Sequence, residues 1–378
     1  MMRICPLTGS SDFTTYYKSS EDRVMTSDQR IIPGKLHKII FLKSGIVANA
    51  HTFSNEELYA IYGTEYELNT SESDEHIFYT ESGPISRSQV YFEWIRPYFP
   101  NTFESLVEVG CGEGRVLEKI AVENPDRKII GFDGSHKAAN LGKRRGLKIS
   151  QKLIFKEEEL PKSDVFVLLG VMEHIEDIGN LLTILINSLT ENGRIILSVP
   201  VQNNLAYDFL FADHVWHFTT AQFKDLLNKY GLDVIHVDDN HKINHGFGLF
   251  VCEKKVINAI STANDKEIML RNLEFWKSKF SNFDIWIGKQ ILRKIAVFGA
   301  SEIFTLFMAY TALGKQHIIA CIDDTKKDGD LKHGIPIHHS EWLRENEVEL
   351  LLLAVNKKYH KMIEEKFAGL NLNIHPIY

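Results

Sequence analysis

The chain has 378 residues, of which 44% are hydrophobic and 25% charged, and a formal net charge of −7; that length suits two or three domains with substantial cores, and the acidic balance excludes the basic footprint of a nucleic-acid binder. The four cysteines, Cys5, Cys111, Cys252 and Cys321, stand far apart with no CxxC pair, which excludes a disulfide framework and fits a reducing cytoplasm. No apolar run approaches the roughly 20 residues of a membrane span, and the first residues lack the charged-then-apolar pattern of a signal peptide, so a soluble, cytoplasmic protein is expected.

Residues 1–75 are rich in Ser, Thr and Tyr and form one expected module. Cys5-Pro-Leu-Thr8-Gly9 and Phe41-Leu-Lys-Ser44-Gly45 have the outline of two metal knuckles. A structural zinc needs about four N or S ligands, and Thr8, Phe41 and Ser44 stand where three of them belong. No metal is expected here, and packing replaces it. Asn55 to Tyr62 reads as a helix capped by Ser54.

Residues 76–255 alternate strand and helix patterns. Ser88 to Phe99 is an amphipathic helix ended by Pro100. Val107-Glu108-Val109 is a strand, Gly110-Cys111-Gly112-Glu113-Gly114 a glycine turn, and Val116 to about Glu123 a helix. Arg127 to Gly134 is a second strand ending in Asp133. Lys152–Phe155 is a short third and Asp164–Gly170 a buried fourth. Ile178 to Leu189 is a helix stopped by Asn192-Gly193, and Arg194–Pro200 a fifth strand. A helix from Phe223 to Tyr230 and strands at Leu232–Val237 and Phe247–Cys252 complete the block. Such alternation predicts an α/β fold with a doubly wound parallel sheet covered on both faces. Ligands in such sheets sit beyond the carboxyl ends of the strands, where the glycine turn and Asp133 fall.

Residues 256–378 begin with a helical connector whose apolar positions are Ile268, Leu270, Leu273, Trp276 and Phe280. A second Rossmann-like pattern follows. Its strands lie at Lys294–Phe298, His317–Ile322 and Glu349–Val355, and its helices at Phe304–Leu313 and Tyr359–Phe367. Its turn, Gly299-Ala-Ser301, lacks GxGxxG. A nicotinamide oxidoreductase using this tail would need NAD(P) near Gly299.

The chemistry concentrates in the first block. Glycines let the backbone reach positive φ and let a ligand lie against it. A carboxylate at Asp133 can accept two hydrogen bonds from a ribose diol. The turn spaces its glycines as GxGxG rather than GxGxxG. With Asp133, Gly170-Val-Met-Glu-His174 and Leu189-Thr-Glu-Asn-Gly193, this set resembles class I S-adenosylmethionine-dependent methyltransferases. The resemblance implies that Glu108 and the turn at Gly110, Cys111 and Gly112 hold the methionine end. Asp133 holds the ribose, Gly134 and Ser135 border the adenine, and Glu157 lies by its edge. Leu169 and Gly170 offer backbone carbonyls to the cofactor ammonium.

The order of parts resembles the sugar C-methyltransferases: a degenerate zinc-ribbon module, a methyltransferase core and a Rossmann-like tail. The tail matches at Val297–Ser301, Ile322–Lys326 and Gly334–Pro336. Members of that family act on nucleotide-linked deoxysugars. Their Tyr-His-Glu-His segment reads Phe211-Ala-Asp213-His214 here, so the tyrosine base is replaced and an oxygen, nitrogen or carbon acceptor stays open.

Methyl transfer needs alignment, and a base if the nucleophile carries a proton. His214 is the candidate base because its pKa lies near neutrality. Asp213 is a candidate to orient an imidazole, and His217 shares the face of His214 if the segment is helical. Trp216 and Phe218 are candidate pocket walls, and His174 a lining or structural residue. His241 and His245 read as loop residues and His338-His339 as surface. The expected function is methyl transfer from S-adenosylmethionine to a small-molecule acceptor, with a nucleotide-linked sugar favoured and neither nucleic acid nor membrane as partner. A catalytically inactive cofactor-binding partner protein is the alternative.

Overall fold

In the computed structural model, the described residues are 3–52, 54, 57, 75–80, 83–203, 205–255, 264–290, 294–370 and 372–378. They form two compact units, each discontinuous in sequence. One comprises Met1–Tyr16, Lys38–Phe209 and Asp213–Asn272; the other comprises Tyr17–His37, Leu210–Ala212 and Leu273–Tyr378.

The first unit is built on seven strands: β1 Ser105–Val109, β2 Lys128–Asp133, β3 Ile149–Gln151, β4 Ser163–Leu169, β5 Leu189–Pro200, β6 Leu232–Asp238 and β7 Phe247–Lys254. Their order is β3-β2-β1-β4-β5-β7-β6. Neighbours from β3 to β5 run parallel, and β7 runs antiparallel to both β5 and β6. The central strands need burial on both faces, and they have it: Leu106, Val107 and Val165–Leu168 are fully buried. The helices are α1 Arg87–Ile95, α2 Arg115–Glu123, α3 His136–Arg144, α4 Ile178–Ser188 and α5 Thr220–Lys229. This is the expected doubly wound α/β fold, with one reversed strand.

Three boundaries differ from the sequence pattern. Helix α1 ends at Ile95 and tightens into a 3-10 turn over Arg96–Tyr98, because Pro97 has no N–H to continue the ladder. The third strand is Ile149–Gln151, three residues earlier than Lys152–Phe155. Ile149 Cδ1 occupies the space a Cβ on Gly114 or Gly142 would need, so burying Ile149 sets the register. Asn192-Gly193 lies within β5, which starts at Leu189 directly after α4. Pairing jumps from Ser163↔Leu189 to Val165↔Arg194, so residues 190–193 bulge from the strand rather than stop the helix.

The N-terminal strands Phe13–Lys18, His37–Phe41 and Val47–Asn49 form a four-stranded sheet completed by Trp216–His217. Both knuckle outlines are present as backbone turns. Gly9 N donates to Cys5 O at 2.9 Å and Gly45 N to Phe41 O at 2.8 Å. Cys5 Sγ lies 3.3 Å from Ser44 Oγ, and Phe41 is fully buried, beside Trp216 at 6.4 Å between ring centroids. Ser54 Oγ accepts from Glu57 N at 3.2 Å while the Glu57 carboxylate accepts from Ser54 N at 2.7 Å, a capping box. The rest of the helix expected at 55–62 lies outside the described residues.

The second unit carries the Rossmann-like pattern: β8 Ile295–Phe298, β9 Ile318–Ile322, β10 Ile335–His338, β11 Leu350–Leu353 and β12 Asn373–Pro376, with helices α6 Glu302–Tyr310 and α7 His360–Phe367. The parallel order is β10-β9-β8-β11-β12, and Leu331–Lys332 is added antiparallel beside β10. The long helix Lys266–Ile287 buries Met269, Leu273, Trp276, Phe280, Phe283 and Ile287, spaced three or four apart. Leu270, expected on that face, is 40% exposed. Among the described residues no helix is long and apolar enough to cross a membrane.

At the turn after β8, Gly299 has φ +103°. A Cβ there would stand 2.6 Å from Val355 Cγ1 and 3.0 Å from Ala354 O. The residue is therefore fixed by packing. Gly299→Ala should lower the stability of this unit by about 1–3 kcal/mol; an unchanged denaturant midpoint would contradict the packing.

Candidate functional site

The glycine turn joins β1 to α2. Gly110 N and Cys111 N both donate to Phe132 O, at 2.7 and 3.1 Å, which folds the turn onto the end of β2. Gly110, Gly112 and Gly114 have φ of +71°, +55° and +78°, a region L-residues with a Cβ avoid. They serve different ends. A Cβ on Gly110 would stand 2.4 Å from Val171 Cγ2, whereas one on Gly112 would have no atom within 4 Å. Gly110 lets the loop after β4 approach. Gly112 leaves open space against the backbone, where a ligand can lie.

Asp133 ties the turn together. Its Oδ2 accepts from Gly112 N at 2.7 Å and its Oδ1 from Ser135 N at 2.8 Å. Ser135 in turn caps α3 by accepting from Ala138 N at 3.2 Å. Burial raises the Asp133 pKa against those two bonds. Gly134 accepts from Gln151 Nε2 at 3.4 Å. Gly170, at φ +69°, ends β4 beyond Leu169. Glu113, in the same turn, is a structural residue: it is buried and bridges Arg115 and Arg145.

Glu108 is buried, and its Oε2 has no hydrogen-bond partner among the described residues. Burial pushes its pKa up to about 8, the Asp133 carboxylate adding and a bond from the Leu117 backbone opposing. Burial also raises the Cys111 thiol well above its ordinary range, so it stays protonated. An unsatisfied buried carboxylate is costly, and a cationic ligand group would relieve it. The open backbone at Gly112, the acid at Asp133 and the unsatisfied Glu108 therefore fit a nucleoside cofactor carrying an ammonium and a sulfonium. Glu157 lies in the 3-10 turn Glu157–Glu159, exposed, its Oε2 accepting from Asn187 Nδ2 of α4 at 2.9 Å.

Past β5 the segment is not helical around the histidines. A 3-10 turn covers Asp208–Leu210, and Trp216–His217 is a strand pairing with Ala48 and Val47. His214 and His217 nevertheless come together, with ring centroids 6.2 Å apart. The carboxylate that meets them is Asp208. Its Oδ2 lies 2.9 Å from His217 Nδ1 and 3.4 Å from His214 Nδ1, and Gln202 Nε2 donates to its other oxygen. Burial would raise the Asp208 pKa, but the imidazoles outweigh it and hold the carboxyl far below the usual range. Lys38 Nζ donates to His214 O at 2.7 Å and lies 2.9 Å from His217 Nε2.

The electrostatics separate the two histidines. Burial, reinforced by the Lys38 ammonium, takes His217 down to about 3, so its ring is neutral. Burial also opposes charge on His214, but the bond to Asp208 and the carboxylates of Asp213 and Glu173 raise it above the ordinary histidine value. Burial brings Glu173 up to about 7, its Oε2 unpartnered among the described residues.

Asp213, expected to orient an imidazole, has its carbonyl 3.1 Å and its carboxylate 3.8 Å from His174 Nδ1. The His174 ring meets His214 edge-on at 4.6 Å. Trp216 and Phe218 belong to the hydrophobic core. Phe211 is buried within the second unit, its backbone bridged to Met25. His241 packs against Trp94 at 4.6 Å, and His338 stacks on Trp342 at 5.0 Å.

Lys38, Glu173 and Asp208 were not among the sequence candidates. Lys38 sits in the run Lys-Ile-Ile-Phe and looks like an exposed strand position. Asp208 lies six residues from His214 in a segment whose conformation its pattern does not specify. Only the acid-histidine composition of 207–218 was a signal.

Among the described residues, two triplets bring possible metal-donor atoms within 4.8 Å of one another: Glu173, His174 and His214, and Asp208, His214 and His217. In the second, both ring nitrogens of His217 are engaged, and the adjacent ammonium of Lys38 repels a cation.

Residues 86–237 match the family model of a methyltransferase domain. Curated protein sequences give no match. Among solved structures, a SAM-dependent methyltransferase from Archaeoglobus fulgidus is 14% identical, covering 45% of this chain and 95% of that one with a TM-score of 0.39. The O-methyltransferase of a Brevibacillus brevis trans-AT PKS multienzyme, solved with S-adenosyl-L-homocysteine, is 18% identical, covering 51% and 77% with a TM-score of 0.36. The mitomycin 7-O-methyltransferase is 16% identical over 40% of this chain, with a TM-score of 0.35, and the match spans about half, 49%, of its length. Over residues 86–237 the chain is thus similar to a methyltransferase domain, and the doubly wound sheet of these residues agrees with that match.

Glu108 yields a signed prediction. A carboxyl whose folded pKa exceeds its unfolded value costs stability that is absent below the unfolded pKa and fully present above about 8. Glu108→Gln should therefore raise the melting temperature at pH 8–9, on the order of a few degrees, while weakening S-adenosylmethionine binding. In the unmodified protein, binding at pH 7 should release a proton, visible as a buffer-dependent calorimetric enthalpy. Gly112→Ala should leave the fold intact at a strain of about 1 kcal/mol and reduce cofactor affinity; Gly110→Ala should destabilise the fold itself.

Proposed function

We propose that the protein transfers the methyl group of S-adenosylmethionine to a small-molecule acceptor, a nucleotide-linked sugar or a related glycan or secondary-metabolite precursor, with His214 as general base. The observation that carries this reading is the buried His214–Asp208 contact. It stands on the segment after β5, beyond the same sheet edge as the glycine turn. S-adenosylmethionine supplies a methyl group on a sulfonium, open to in-line displacement.

The chain's residues do the rest. Glu108 neutralises the methionine ammonium, with the turn at Gly110, Cys111 and Gly112 beside it and the carbonyls of Leu169 and Gly170 accepting from it. Asp133 accepts from the ribose, and Gly134, Ser135 and Glu157 border the adenine. His214 takes the acceptor's proton at Nε2 as the nucleophile's electron pair goes to the methyl carbon. Asp208 stabilises the imidazolium that forms, while His217 and Asp213 shape the field around it. With phenylalanine at position 211, a hydroxyl or amine acceptor suits the site as well as carbon. The reading keeps the three-part organisation 1–75, 76–255 and 256–378, with a degenerate zinc-ribbon module first and an acceptor-binding tail last. It places the protein in the cytoplasm, where its four free, buried cysteines stay reduced.

His214→Asn should lower kcat on the order of 100-fold or more while leaving the S-adenosylmethionine dissociation constant within about twofold. Equal loss of both would sink the assignment, and cofactor binding with no methylated product from any acceptor would favour the inactive partner protein. Treatment with a chelator should leave turnover unchanged; loss restored by a divalent ion would turn His214 from base into ligand beside Glu173 and His174.

A further inference from the structure

We infer that Lys38, from the N-terminal sheet, is a positioning residue of the methyl-transfer site, which keeps His217 neutral so that the charge of Asp208 serves His214. The inference rests on the general-base reading of His214. It starts from an anomaly of burial. Lys38 has no exposed surface, and lysine is almost never fully buried without partners. An ammonium has three donors and no acceptor. One goes to His214 O at 2.7 Å, and another points at His217 Nε2, 2.9 Å away.

That second contact fixes a tautomer. Facing an ammonium, His217 Nε2 must accept, so the ring proton sits on Nδ1. Nδ1 then donates to Asp208 Oδ2 at 2.9 Å. The same oxygen is 3.4 Å from His214 Nδ1, and a carboxylate can only accept, so His214 is also protonated at Nδ1. In the neutral ring its unprotonated nitrogen is therefore Nε2, the atom required of the base. Donation runs from Lys38 to His217 to Asp208, and from His214 to Asp208.

The charge matters as much as the tautomer. Two imidazoles compete for one carboxylate. A second proton on His217 would spend the Asp208 charge on it and leave His214 without its counter-charge. The ammonium 2.9 Å from His217 Nε2 forbids that proton. Burial takes the Lys38 ammonium down to about 7; the carboxylates of Asp208 and Asp213 resist that loss of charge and the Arg3 guanidinium adds to it, so Lys38 is charged below that value. Glu173 and Asp213 face His214.

The test begins on the unmodified protein. Nitrogen NMR of 15N-histidine-labelled protein, with His217 assigned by substitution, should show His217 as the neutral Nδ1–H tautomer from pH 5.5 to about 7, the range in which Lys38 carries its charge. An imidazolium at pH 6 or the Nε2–H tautomer overturns the inference. In Lys38→Met, His217 should titrate near neutrality and the acidic limb of the kcat profile should move, with kcat at pH 7 down on the order of tenfold. Lys38→Arg should restore the limb in part. A folded Lys38→Met protein, checked by circular dichroism, with an unmoved limb and an unchanged His217 signal also overturns it. If His214→Asn retains turnover, the general-base reading fails instead, and the tautomer of His217 still decides the role of Lys38.

Discussion

A carboxylate buried among two imidazoles constrains everything around it. Asp208 can sit in the interior only because every neighbour turns a donor toward it: His217, His214 and Gln202. A half-satisfied network of this kind would be worse than an apolar core. The segments that supply it are therefore locked in register. Trp216–His217 is held as an edge strand against Val47 and Ala48, and Lys38 enters from the strand on the other side of Val47–Asn49 in the same sheet. The N-terminal sheet is thus part of the candidate site.

The cofactor side obeys the opposite logic. Glu108 is left partly unsatisfied, with a pKa of about 8, and Asp133 spends one bond from each oxygen on the turn that frames it. This is destabilisation stored in a buried acid, of the kind a cationic group would relieve. The turn can bear it because its own backbone is tightly bonded to Phe132 O. Rigid support and an acid with one oxygen unpartnered among the described residues thus lie within a few residues of each other.

Legibility in the sequence followed the range of the forces involved. Strands with apolar runs, such as Val165–Leu168, were readable because burial on both faces demands such composition. The glycine turn and Asp133 were readable because positive φ and a strand-end acid are local requirements. The third strand was not, since its register depends on Ile149 filling the space over Gly114 and Gly142. Asn192-Gly193 is a strong local turn signal, yet strand pairing with β4 turned it into a bulge.

The sequence by itself determined the doubly wound core, the glycine turn with its strand-end acid, and the acid-histidine segment 207–218 as a candidate site. Each rests on residues close together in the chain. Only the tertiary structure decided which acid meets His214 and His217 and that a lysine is buried beside them. Lys38 and His217 are distant in sequence but lie 2.9 Å apart in space. Their pairing comes from strand register and from the cost of burying charge, which acts only once the chain has folded.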